Sequence, residues 1–227
     1  MMLTIPSMSG DVLGNVLALA ASGLRIHPVR DDKRPFLRGW PTKATTDAAT
    51  LRSWWGEWPD ALPGIACGPR SGIDVLDIDQ EGLPWLADSA SLVGTTYMYE
   101  TRSGGRHLIY QHRPGLKTRS RSGGLPGVDV RTGHEDGTGT GYIVFWPAVG
   151  HPVLDARTPT RWRHELFDML ASVPAKTAPA ILKSRQSLAP IVTPVEEITH
   201  PRRYALAALE SAVDRIASAP EGSRNDT

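Results

Sequence analysis

The sequence is poor in cysteine, in net charge and in long apolar runs. A single cysteine, Cys67, stands among 227 residues. That excludes a disulfide framework and a multi-cysteine zinc site, and it fits a reducing, cytoplasmic setting. No apolar stretch approaches the roughly 18 residues a membrane span needs, and the N-terminus lacks a basic segment followed by an apolar one. The expectation is a chain with no membrane partner. Charge of one sign is also missing, since 25 Lys and Arg against 24 Asp and Glu leave a formal +1. Overall charge therefore argues for no partner, and any preference for polyanions must come from local patterning. Hydrophobic residues at 40%, charged residues at 22% and no internal repeat exclude collagen, coiled coil and wholesale disorder. What is plentiful is glycine (22) and proline (19), which implies tight turns between short elements and suits a mixed α/β domain better than a helical bundle.

Leu13, Val16, Leu17 and Ala20 recur at helical spacing, with Ser9 or Asp11 to cap the start and Gly23 to end the helix. A strand over Leu24 to Val29 follows. Asp47 precedes Leu51, Trp54, Trp55 and Trp58, again at i, i+3, i+4 and i+7, and Pro59 stops the pattern. Tryptophans so spaced are read as core rather than as a base-stacking surface. Strands are expected over Gly64 to Cys67, Ile73 to Asp79, Thr96 to Glu100, His107 to Gln111, Val128 to Arg131 and Tyr142 to Trp146. Ser103-Gly104-Gly105 reads as a hairpin turn, and a helix from about Arg163 to Val173 closes the block. Five prolines between Pro174 and Pro201 break any periodicity and mark a connector. Leu206, Leu209, Val213 and Ile216 then form a helical seam that needs a partner.

The run Ile73-Asp74-Val75-Leu76-Asp77-Ile78-Asp79 carries the clearest chemistry. Alternate residues of a strand share a face, so Asp77 and Asp79 point the same way, about 6.5 Å apart by the usual rise. Two like charges so close call for a cation between them, and a divalent ion bound by oxygen is the economical candidate. A strand-end cluster left in water is the alternative. Asp74, of opposite parity, is read as capping or solvated. Asp129 and Arg131 share a face of another short strand, and if that strand neighbours Asp77, three carboxylates converge. His107 follows Arg102-Ser103-Gly104-Gly105-Arg106, where an imidazole and two guanidinium groups surround a turn whose N–H groups could face an anion. An ordinary surface hairpin is the bland reading. From Arg102 to Arg131 seven Lys or Arg face Asp129 alone, a positive field suited to a nucleic-acid backbone or to a solvated face.

In order along the chain, these pieces resemble the bifunctional primase-polymerase domain of the archaeo-eukaryotic primase superfamily, as found in phages, plasmids and mobile elements. Its three motifs correspond to Asp77-Ile78-Asp79, to Gly104-Gly105-Arg106-His107 and to Val128-Asp129. Lys33-Arg34-Pro35, Gly39-Trp40, the tryptophan helix and Gly64 to Gly68 are similar to the family's N-terminal stretch, so that the likeness covers about residues 20 to 165. Some relatives have serine where Gly105 stands, and Pro147-Ala148-Val149-Gly150-His151 lacks the hydroxyl of their Pro-x-Ser-x-His element. A cysteine-rich zinc stem is absent.

The resemblance implies an RNA-recognition-like, mainly antiparallel sheet flanked by helices. A catalytic domain over 1–173, a linker over 174–200 and a C-terminal helix within 201–227 are expected, the last leading into a further region of a longer replication protein. It implies Mg²⁺ or Mn²⁺ on Asp77, Asp79 and Asp129, and nucleotide binding by His107, Arg106, Arg131, Ser103, Gly104 and Gly105. The expected partners are a single-stranded DNA template, nucleoside triphosphates and a helicase domain in cis or in trans. The expected activity is primer synthesis, primer extension or both. A rolling-circle endonuclease would need a histidine pair at alternate positions, whereas His107 and His112 are of opposite parity. A catalytically silent origin-binding or single-strand-binding module would not need all three acids.

Overall fold

The structure is a computed structural model that describes residues 3–172. Val173, the proline-rich stretch and the helix expected from residue 201 lie outside the described residues. Helix α1 (Val12–Ala21) starts at Asp11, whose carboxylate accepts the N–H groups of Leu13 and Gly14, and ends before Gly23 at φ +94°. Strand β1 (Ile26–Val29), the short helix α2 (Trp40–Lys43) and helix α3 (Ala48–Glu57) follow. Asp47 caps α3 by accepting the Thr50 N–H at 2.7 Å. Leu51 and Trp55 are buried, and Trp54 and Trp58 pack against the same core, so the tryptophan stripe is core, as its spacing implies.

The remaining elements are β2 (Leu62–Ala66), β3 (Ile73–Ile78), α4 (Leu83–Asp88), α5 (Ala90–Val93), β4 (Tyr97–Glu100), β5 (Arg106–Gln111), β6 (Val128–Arg131), β7 (Tyr142–Val144), β8 (Val153–Asp155) and α6 (His164–Ala171). Every strand pairing is antiparallel, but the strands form two sheets rather than the single sheet expected. One has the order β1-β2-β7 and the other β6-β3-β5-β4-β8. The division begins at the turn after β2. There Gly68, at φ +95° and just past β2, bridges to Ile73 and closes the turn on itself, and β2 and β3 join different sheets.

Strand parity then sorts the core. Ile73, Val75, Tyr97, Tyr99 and Ile109 of the larger sheet pack with α1, α3 and the smaller sheet. Leu76, Ile78, Leu108, Tyr110, Val128 and Val130 pack on the other face with Leu166, Phe167 and Leu170 of α6. Burial of each such aliphatic side chain stabilises by about 1.5–3 kcal/mol.

Asp74 corrects the sequence reading. It is fully buried rather than solvated, on the α6 side of the sheet. Its carboxylate meets His112 Nδ1 at 2.8 Å, the Arg113 N–H at 2.9 Å, the Trp162 indole N–H at 3.2 Å and the Thr132 hydroxyl. These donors arrive from the ends of β5 and β6 and from the segment before α6, and strand parity alone does not reveal them.

Candidate active site

The register of β3 assembles the site. Asp77 stands opposite Asp129 of β6 on one side and opposite His107 of β5 on the other, and Tyr99 of β4 stands opposite His107. Cross-strand partners share a face, so Asp129, Asp77, His107 and Tyr99 form one row across four strands. His107 Nε2 lies 3.0 Å from Asp77 Oδ1, and its Nδ1 lies 2.7 Å from the Tyr99 hydroxyl, which also donates to the Val144 carbonyl at 3.0 Å. The imidazole is thereby fixed from behind with Nε2 toward the carboxylates.

Arg131 lies between half-buried Asp77 and buried Asp129, one terminal nitrogen 3.1 Å from Asp77 Oδ2 and 2.8 Å from Asp129 Oδ2. Burial by itself raises the pKa of Asp77, but the charges and hydrogen bonds of His107 and then Arg131 outweigh it and hold the carboxyl down at about 2. Asp129 is also part of the fold, for it accepts the Ser120 hydroxyl at 2.8 Å and the Arg121 N–H at 2.9 Å. Asp79, just past the end of β3, is exposed and has no side-chain hydrogen bond among the described residues. Its carboxyl is shifted upward, by partial desolvation first and then by repulsion from Asp77 and Asp129, against the pull of Arg131 and Lys33.

Glycines let the backbone crowd in around Asp79. A Cβ on Gly105 would collide with the Ile78 carbonyl, and Gly82 and Gly127 approach so closely that neither has room for one. Gly105 therefore lets the β4–β5 turn lie against the end of the acidic strand.

A cavity of about 460 Å³ opens over this row and is bordered by Asp77, Asp79, His107, Arg131 and Ser103. Asp129 lies beneath Arg131. Arg106 is engaged elsewhere, its guanidinium 3.1 Å from Glu100 and 2.8 Å from the carbonyls of both Gly104 and Gly105. The Gly104 N–H donates to the Thr101 carbonyl, so it serves the turn rather than the cavity. The basic stretch also turns out differently from a simple positive wall. Arg119 pairs with Val130, so residues 118–120 run beside β6, with Thr118 on the cavity and Ser120 on Asp129.

Lys33, Trp40, Tyr142 and Trp146 also line the cavity, and the sequence reading gave them no role in the site. They come from the smaller sheet and its loops, whose place opposite the acidic row depends on the division into two sheets. Only the Lys33-Arg34-Pro35 and Gly39-Trp40 matches pointed that way.

Hard oxygen donors of this kind suit a divalent ion. Among the described residues no three ligating side chains already converge on one point, since Arg131 supplies the positive charge between Asp77 and Asp129. The set fits Mg²⁺ or Mn²⁺ once Arg131 moves aside, with Asp79 unencumbered at the rim. Comparison with known proteins gives one family match and no match among curated proteins. The model of the bifunctional DNA primase/polymerase N-terminal domain matches residues 16–181, which contain both sheets and the whole row of site residues. The chain belongs to that family of DNA primase/polymerases, which are nucleotidyltransferases.

Proposed function

We infer that the cavity performs template-directed nucleotidyl transfer onto a primer end or onto a first nucleotide, with a single-stranded DNA template. The observation that carries this reading is the single row in which Asp77 and His107 border the cavity and Asp129 stands beside Asp77 on the neighbouring strand. Asp77, Asp79 and Asp129 would hold Mg²⁺ or Mn²⁺, which when bound lowers the pKa of the attacking 3′-hydroxyl and neutralises charge on the leaving pyrophosphate. His107, oriented by Tyr99, offers Nε2 to a phosphate oxygen by a charge-assisted hydrogen bond. Arg131 has two tasks in sequence: it balances Asp77 and Asp129 before loading, then turns its guanidinium to the triphosphate. Ser103 and Thr101, 3.2 Å apart at the rim, add hydroxyls for the same ligand. Gly104 and Gly105 act by letting the turn approach β3, and Arg106 by bracing that turn.

Replication of a phage or mobile element, with a helicase acting in cis or in trans, belongs to the same reading and is supported by the ordered motifs. The test is incubation with single-stranded template, all eight nucleotides and Mg²⁺ or Mn²⁺, with and without a primer. Metal-dependent product supports the reading. Template binding without product in any combination points instead to a silent binding module, and a covalent tyrosine–DNA adduct to an endonuclease.

A further inference from the structure

The turn between β1 and α2 lies outside the row of acids, yet it puts a cation into their cavity. Lys33 has φ +65°, in the left-handed region that residues with a Cβ disfavour. Neighbouring bonds hold it there. The Lys33 N–H donates to the Arg30 carbonyl at 2.9 Å, the Arg30 N–H to the Arg34 carbonyl at 2.8 Å, and the Arg34 N–H to the Asp32 carboxylate at 3.0 Å. From the smaller sheet, the Tyr142 hydroxyl of β7 donates to the Lys33 carbonyl. A strained backbone conformation persists only where its surroundings enforce it, and such positions cluster at ligand clamps.

The strain has a visible result. Lys33 borders the cavity with Asp79 and Ser103, and its ammonium lies 5.9 Å from the centre of the Trp146 ring, which borders the same cavity. The neighbouring guanidinium groups already have carboxylate partners: Arg131 has Asp77 and Asp129, Arg106 has Glu100, and Arg102 has Asp31. Lys33 forms no ion pair among the described residues. An ammonium with three donors and no ion pair among the described residues, on a cavity that also holds carboxylates, suits the non-bridging oxygens of a polyphosphate tail.

We propose that Lys33 grips the terminal phosphates of the incoming nucleoside triphosphate and that Tyr142 is the positioning residue that aims it. The inference rests on the nucleotidyl-transfer reading and names a contact from the smaller sheet to the substrate of that same site.

The test is an equilibrium titration of the full chain, in Mg²⁺, with an unreactive nucleoside triphosphate analogue and with the corresponding monophosphate. Lys33→Gly tolerates the positive φ and removes the ammonium together with its stem. It should weaken triphosphate binding by about 10-fold or more and leave monophosphate binding unchanged, the loss expected for one hydrogen bond to a charged group. Tyr142→Phe keeps the ring and loses the clamp, so it should shift triphosphate affinity in the same direction by less. In turnover both variants should raise KM with little change in kcat. Unchanged triphosphate affinity in Lys33→Gly, or equal loss for both ligands, overturns the assignment and leaves the transfer reading standing. If the unaltered chain binds neither nucleotide, both readings fall.

Discussion

Asp77, Asp79 and Asp129 are one motif set in the sequence but three different situations in the fold. Asp77 is balanced by His107 and Arg131, and Asp129 holds the 119–121 segment through Ser120 and Arg121. The Asp79 carboxylate forms no hydrogen bond or ion pair among the described residues. Replacement by alanine is therefore a clean probe at only one of them. Asp129→Ala should cost about 1–3 kcal/mol by leaving the Arg121 N–H and the Ser120 hydroxyl without their acceptor. Asp79→Asn should leave stability within about 0.5 kcal/mol of the unaltered chain. Paired urea denaturation curves check this, and an equal loss in both variants would contradict the role given to Asp129. The face shared by Asp77 and Asp79 was legible from strand parity. The buried place of Asp74 was not, because its donors come from residues 38 to 88 positions away.

Among elements, helices were the easiest to foresee. Asp47 followed by apolar residues at i, i+3, i+4 and i+7 specifies both the cap and the buried face of α3 with local information alone. Strand positions were legible for the same reason, but pairing was not. The register that sets Asp77 between Asp129 and His107 joins segments about 30 and 50 residues apart, and no local period encodes it. The short α4, α5 and β8 escaped notice because four to six residues, or three, are too few to display a period. The β4–β5 turn supplies the test at this scale. Gly105→Ala would force a Cβ against the Ile78 carbonyl and push Asp79 away from Asp77. A displacement near 1 Å costs about 100-fold in rate in a positioned site, whereas the strain in stability is about 1–3 kcal/mol. Activity should therefore fall in a chain that still unfolds cooperatively, and full activity would show that the close approach is not needed.

At the scale of the whole molecule, stability is tied to pH by a residue outside the acidic row. His27 of β1 is fully buried, stacks on Trp40 at 4.6 Å, and has no hydrogen-bond partner for either ring nitrogen among the described residues. Burial pushes its pKa down from 6.5 to about 3. The unfolded chain thus takes up a proton below 6.5 that the folded chain refuses until about 3, so stability falls as pH drops through that window. Asp77 adds a second loss lower down: its folded value of about 2 lies below its ordinary 3.8, so its contribution is present above about 4 and disappears toward 2. Replacement of His27 by phenylalanine preserves an aromatic ring against Trp40 and should abolish the melting-temperature slope between pH 6.5 and 4. An unchanged slope would locate the acid sensitivity elsewhere.

The central claim is that the acids of the larger sheet transfer nucleotides, and Asp79 gives the most direct access to it. The decisive measurement is nucleotide incorporation on a primed single-stranded template in Mg²⁺ or Mn²⁺ by the unaltered chain and by Asp79→Asn, with melting temperatures recorded alongside. The account predicts metal-dependent product from the unaltered chain and a loss of about 100-fold or more in the variant at an unchanged melting temperature. Undiminished synthesis by folded Asp79→Asn would contradict it.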